Sequence, residues 1–120
     1  MLTMELLKNH LAEYHLPYED KSVLIQVKRI IHEEQVICYW SSMGCVFFWM
    51  KDDATFSDIR PLLFPIERVE KVQYQKKFLS NDELTFEVEG EKYQFEIPHR
   101  SKYFTNQKEQ LKLFRQLMEQ

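Results

Sequence analysis

Glycine is nearly missing from this chain: only Gly44 and Gly90 occur among 120 residues. Loops that cradle phosphates, of the Walker or dinucleotide-binding type, need several residues free of a Cβ, so both are excluded. Cysteine is as scarce. Cys38 and Cys45 stand alone, too few for a disulfide framework and suited to a reducing compartment. Long apolar runs are missing as well, the longest being residues 45–50, far short of a bilayer span. The opening residues Met1, Leu2, Thr3, Met4 and Glu5 lack the basic and apolar stretches of a secretory signal, so a cytoplasmic protein is expected. The net charge of −3 argues mildly against nonspecific nucleic-acid binding while leaving room for a local basic patch. No internal repeat, low-complexity tract or linker divides residues 1–120, which read as a single domain.

What the chain does have is aromatic residues, nine Phe, six Tyr and two Trp, concentrated in strand-like segments and able to fill a small β-rich core. Residues 1–17 hold an amphipathic helix, with Thr3 as N-cap, Met4, Leu7, Leu11 and Tyr14 on one face, and Pro17 as its stop. That face docks either on the protein's own sheet or on a partner. Residues 20–98 then change to strand periodicity. Val23, Ile25 and Val27 alternate, a polar turn follows at His32, Glu33, Glu34 and Gln35, and two apolar runs flank Ser41, Ser42, Met43 and Gly44. Those runs read as a hairpin buried on both faces, with Cys38 opposite Phe47 and Trp40 opposite Cys45.

Pro61 and Pro65 restrict the next segment to a short edge strand or irregular chain. A single turn after it is expected to point Ile66 and Val69 inward. Val72, Tyr74 and Phe78 alternate with polar residues as a half-exposed strand, and Ser80, Asn81, Asp82 and Glu83 form a turn. Leu84, Phe86 and Val88, then Tyr93, Phe95 and Ile97, make a hairpin. A loop at Gly90 and Glu91 sets Val88 opposite Tyr93, Phe86 opposite Phe95 and Leu84 opposite Ile97. Residues 106–120 hold a second amphipathic helix, opened by Asn106 and Glu109 as a capping box and striped by Leu111, Phe114, Leu117 and Met118.

From Arg60 onward, a short strand, the stretch Phe64, Pro65, Ile66, Glu67, Arg68, Val69, Glu70, Lys71, Val72, three alternating strands and a capped terminal helix resemble the second half of a pleckstrin-homology-like (PH-like) domain, as in its bacterial members. The resemblance implies an α+β fold: an antiparallel β-barrel or two-sheet roll of six to seven strands, a C-terminal capping helix and an extra N-terminal helix. It also implies work done by loops or an exposed strand edge on peptides, lipids or proteins. In lipid-binding members the loop after the first strand is basic. Here that loop carries Glu33 and Glu34, which repel a phosphorylated headgroup.

Catalytic motifs are hard to assemble. His32, Glu33, Glu34, Gln35 and Val36 begin like a zinc-protease motif but place valine where the second histidine belongs. Cys38 and Cys45 read as small buried side chains, since no histidine is expected beside either. His10, His15, His32 and His99 fall in separate segments and read as surface residues. Asp52 and Asp53 suit a turn, and Trp40 and Trp49 the core. No metal or cofactor is expected. The leading expectation is a noncatalytic module for a protein or peptide partner, acting at a strand edge or through the first helix. The alternative is peripheral binding of anionic lipid or another phosphorylated ligand through Lys76, Lys77, Arg100 and Lys102. A small enzyme with scattered acid-base groups ranks last. A homo-oligomer stays open, because a sheet edge or helix face can pair two copies.

Overall fold

A computed structural model describes residues 1–29 and 34–118. The chain is α+β: helix α1 (Met4–Glu13), strands β1 (Val23–Arg29), β2 (Gln35–Ser41), β3 (Gly44–Trp49) and β4 (Leu62–Pro65), a 3₁₀ turn (Ile66–Arg68), strands β5 (Val69–Gln75), β6 (Asp82–Val88) and β7 (Glu91–Ile97), and helix α2 (Gln107–Met118). The seven strands form one antiparallel sheet in the order β4-β3-β2-β1-β7-β6-β5. The sheet does not close. Its edges, β4 and β5, remain unpaired with each other among the described residues, which corrects the expectation of a barrel.

The sheet instead bends at β1, which pairs with β7 only through Lys28 opposite Glu96 and Arg29 opposite Phe95. Both halves thereby face one core. Phe47 of the first half stacks on Phe95 at 4.8 Å and on Phe86 at 6.1 Å, while Trp40 meets Phe86 and Phe114 edge-on. Where β1 leaves β7, α2 takes over its open edge. The N–H of Leu24 donates to Gln110 Oε1 (2.9 Å) and that of Gln26 to Gln107 Oε1 (3.0 Å), and Gln107 Nε2 donates back to the carbonyl of Gln26 (3.0 Å). Two glutamine side chains thus stand in for a missing strand, satisfying buried backbone groups.

The opposite face of β1–β3 is covered by α1. Thr3 caps this helix by accepting the Leu6 N–H, Leu7 and Leu11 are fully buried, and burial of each side chain contributes about 1.5–3 kcal/mol. The helix therefore docks on its own sheet. It ends four residues before Pro17, at Glu13, with His15 at φ 57°.

The β2–β3 pairing places Cys38 opposite Phe47 and Trp40 opposite Cys45 as expected. The β6–β7 hairpin does not follow the expected register. Glu89 and Gly90 form the loop, with φ of 53° and 84°, so Val88 faces Glu91, Phe86 faces Tyr93 and Leu84 faces Phe95. Two successive positive φ values match the twist of a type I′ turn. The slip is two residues, so the apolar side chains keep their face. Three other expectations fail locally. Ile66 is 42% and Phe78 93% exposed, because the 3₁₀ turn lies over the sheet's rim and β5 ends at Gln75. Asp82 begins β6 and is buried. The turn expected around His32 and Glu33 lies outside the described residues.

Candidate functional site: an apolar groove beside an edge strand

The chain after α1 runs short of β4, and the uncovered outer face forms a groove of about 230 Å³. Its lining comes from Leu16 and Pro17 after the helix, Tyr39 and Val46 on the sheet, Met43 in the hairpin turn, and Leu63, Pro65 and Ile66 at the edge; Ser41, Ser42, Gly44 and Glu67 complete it. Met43, Leu63 and Ile66 are 56%, 44% and 42% exposed. Three large apolar side chains around one concavity exceed the scattered singles of an ordinary surface.

The walls are held in place. Glu19 accepts the Ser42 N–H (2.9 Å) and hydroxyl (2.6 Å), bonds that hold its carboxyl below the ordinary range. Its own N–H donates to the Tyr39 hydroxyl (2.9 Å). On the other side, the Ile66 N–H donates to the Met43 carbonyl (2.9 Å). Gly44 permits this approach: a Cβ there would lie 2.1 Å from the Phe64 carbonyl oxygen. The Ile66–Met43 bond sets the antiparallel alternation, so Phe64 falls in a hydrogen-bonded pair with Cys45 while the N–H and C=O of Leu63, opposite Val46, turn away from β3. Pro65 has no N–H to offer, which shortens the pairing edge.

The basic candidates Lys76, Lys77, Arg100 and Lys102 do not form one patch. Lys76 borders a cleft of about 260 Å³ with Lys108, Lys112 and Arg115, floored by Asp82 and His99. Arg100 borders a neighbouring groove that shares Lys108. Lys77 pairs with Glu83 (2.8 Å), and Lys102 lies over the Tyr103 ring at 5.2 Å. Sequence reasoning missed Lys108, Lys112 and Arg115, although their spacing of four and three gives one helical face. It also missed Met43, Leu63 and Ile66. The adjacent pair Leu62 and Leu63 was the signal, since an edge strand with one buried face cannot bury both.

Asp82 organises this second end. Its carboxylate accepts from the Lys77 N–H (2.8 Å) and the Tyr74 hydroxyl, with His99 Nε2 at 3.0 Å and Arg115 Nη1 at 4.0 Å. Burial pushes its pKa up, but the bonds from Lys77, Tyr74 and His99 outweigh it and hold the group below the ordinary value. Burial and then the Asp82 contact raise the Tyr74 hydroxyl.

The remaining described candidates lie outside the linings of the groove and the basic cleft. Burial pushes the Cys45 thiol to about 12 and Cys38 also upward, leaving both protonated at neutral pH and poor nucleophiles. Asp53 accepts from the Thr55 N–H and hydroxyl. His10 is no surface residue: it stacks on Phe56 at 3.9 Å, because the loop after β3 folds back against α1. His15 is exposed, and His32 lies outside the described residues. Trp40 is in the core, whereas Trp49 is half-buried and its indole N–H donates to Glu34 (2.6 Å). Among the described residues, no three His, Cys, Asp or Glu gather as a metal site, and no helix is long and apolar enough to cross a membrane. Compared with known proteins, the chain matches no family model and no curated protein.

Proposed function

We propose that this chain is a noncatalytic, PH-like interaction module whose groove beside β4 takes an apolar side chain from an extended segment of a protein or peptide partner. The observation that carries this reading is the contiguous exposure of Met43, Leu63 and Ile66 around a braced concavity. Burying one Leu- or Phe-sized anchor there supplies about 1.5–3 kcal/mol, and the outward Leu63 backbone adds hydrogen bonds of the strand-addition kind. Pro65 limits that ladder, so the side-chain pocket dominates affinity. The strand order, the bend at β1 and the C-terminal helix support the PH-like part of the reading.

Selection from a random-peptide display library tests it. Enriched peptides carry a large apolar residue, and Leu63→Asp, a half-exposed position, weakens their binding about tenfold or more. Failure to enrich any peptide that Leu63→Asp releases would reject the proposal.

A further inference from the structure

We propose a second docking surface, separate from the groove: the end of the fold formed by the β5–β6 turn and one face of α2 binds an anionic lipid membrane. Phe78 and Leu79 occupy the turn and are each 93% exposed. Their base is fixed, with the Lys77 N–H donating to buried Asp82 (2.8 Å) and Lys77 Nζ paired with Glu83 (2.8 Å). Two apolar side chains are therefore held out into solvent beside a tied-down residue, at a hydration cost.

Cations outnumber carboxylates beside them: the cleft holds Lys76, Lys108, Lys112 and Arg115 against the single carboxylate of Asp82. Lys76 opens the turn and lines the same cleft as Lys108, Lys112 and Arg115. Lys108 and Lys112 are four residues apart on α2, an arrangement of like charges that disfavours a helix. Lys76, Lys108 and Lys112 have no ion-pair partner among the described residues. Among the described residues Arg115 has one ion-pair partner, Asp82 at 4.0 Å, a carboxylate already shared with Tyr74, His99 and the Lys77 backbone, and it lies over the Tyr74 ring at 6.0 Å. Free cations collect here in a chain whose net charge is −3, so the attraction is local.

The pairing of features selects the occupant. A peptide partner fills a concave apolar site, but here the apolar residues project and the concavity is cationic. The bilayer interface has the complementary order: phosphates at the level of the lysines and acyl chains beyond them. Projecting Phe and Leu insert while ammonium groups stay at the headgroups. Neither signal alone gives firm attachment, and the two together do.

Sedimentation of the full chain with vesicles decides this, using phosphatidylcholine alone and an equimolar mixture with phosphatidylglycerol. Binding is expected only to the anionic vesicles, weakening as salt rises. The double variant Phe78→Ser/Leu79→Ser and the double variant Lys108→Ala/Lys112→Ala each lower the partition about tenfold or more. All four positions are exposed, and circular dichroism checks that folding is retained. The charge-matched control Lys21→Ala/Lys51→Ala, with both lysines exposed and outside this cleft, leaves binding unchanged. No binding to anionic vesicles, binding that survives Phe78→Ser/Leu79→Ser, or equal weakening by the control pair would overturn the proposal, the last two by reducing it to diffuse charge attraction. Capture of a protein through Phe78 and Leu79 without vesicle binding would overturn it as well.

Discussion

The side-chain amide of Gln107 pairs with the backbone of Gln26 as a neighbouring strand would, accepting its N–H and donating to its carbonyl, both at 3.0 Å. The same amide nitrogen reaches the carbonyl of Pro98 at 3.1 Å, so one residue joins α2, β1 and the end of β7 at the point where the sheet splits. This is what lets the sheet bend over its core without leaving an edge unsatisfied. Gln107→Ala orphans buried backbone groups and is expected to destabilise the protein by about 3 kcal/mol. A lower urea midpoint with an unchanged slope checks this. The adjacent exposed Lys108→Ala is expected to change stability by less than about 0.5 kcal/mol.

Asp82 is expected to contribute to the acid limit of stability. Its folded pKa lies below the ordinary value, so between the two values the unfolded chain binds more protons. The stabilisation is fully present above the unfolded pKa of about 3.9 and is lost as pH falls through the folded value. Asp82→Asn removes that charge beside Tyr74, His99 and Arg115, and is expected to lower stability at pH 7 by about 3 kcal/mol. It also flattens the acid side of the stability profile. Denaturant titrations of both proteins across the acid range measure the difference, and parallel profiles would assign the acid limit to other carboxylates.

The two glycines are expected to differ in tolerance. Gly44→Ala sets a Cβ 2.1 Å from the Phe64 carbonyl oxygen at φ 133°, which forces β4 away from the hairpin at about 3 kcal/mol or more. Gly90→Ala meets nothing within 4 Å and carries only left-handed backbone strain, about 1–2 kcal/mol. Thermal unfolding of the two variants ranks them. The first should also disturb the groove, because Gly44 is part of its lining.

Much of this fold was legible in local pattern. Cys38, Trp40, Cys45 and Phe47 find their partners because both runs are continuous and the polar turn between them is short. Thr3, Leu7 and Leu11 mark their helix by capping and spacing. The β6–β7 register was not legible, since a slip of two preserves which face each side chain occupies. Alternation fixes only odd against even, and the left-handed conformation of Glu89 decides the rest. Burial of Asp82 and His10 depends on Tyr74, His99 and Phe56, which reach them from other elements of the fold. The groove depends on where α1 stops relative to β4, a length relationship that no single segment records. Of the four basic candidates only Lys76 lies in the cleft, because its other cations come from α2, far along the chain.

The groove beside β4 is the centre of the functional account, and methyl NMR reads it most directly. With Met43, Leu63 and Ile66 labelled in the full chain, titration of a selected peptide is expected to shift these three methyl signals saturably while those of Leu79 and Ile97 stay fixed. Shifts that spare Met43, Leu63 and Ile66, or that saturate equally well in Leu63→Asp, would contradict it.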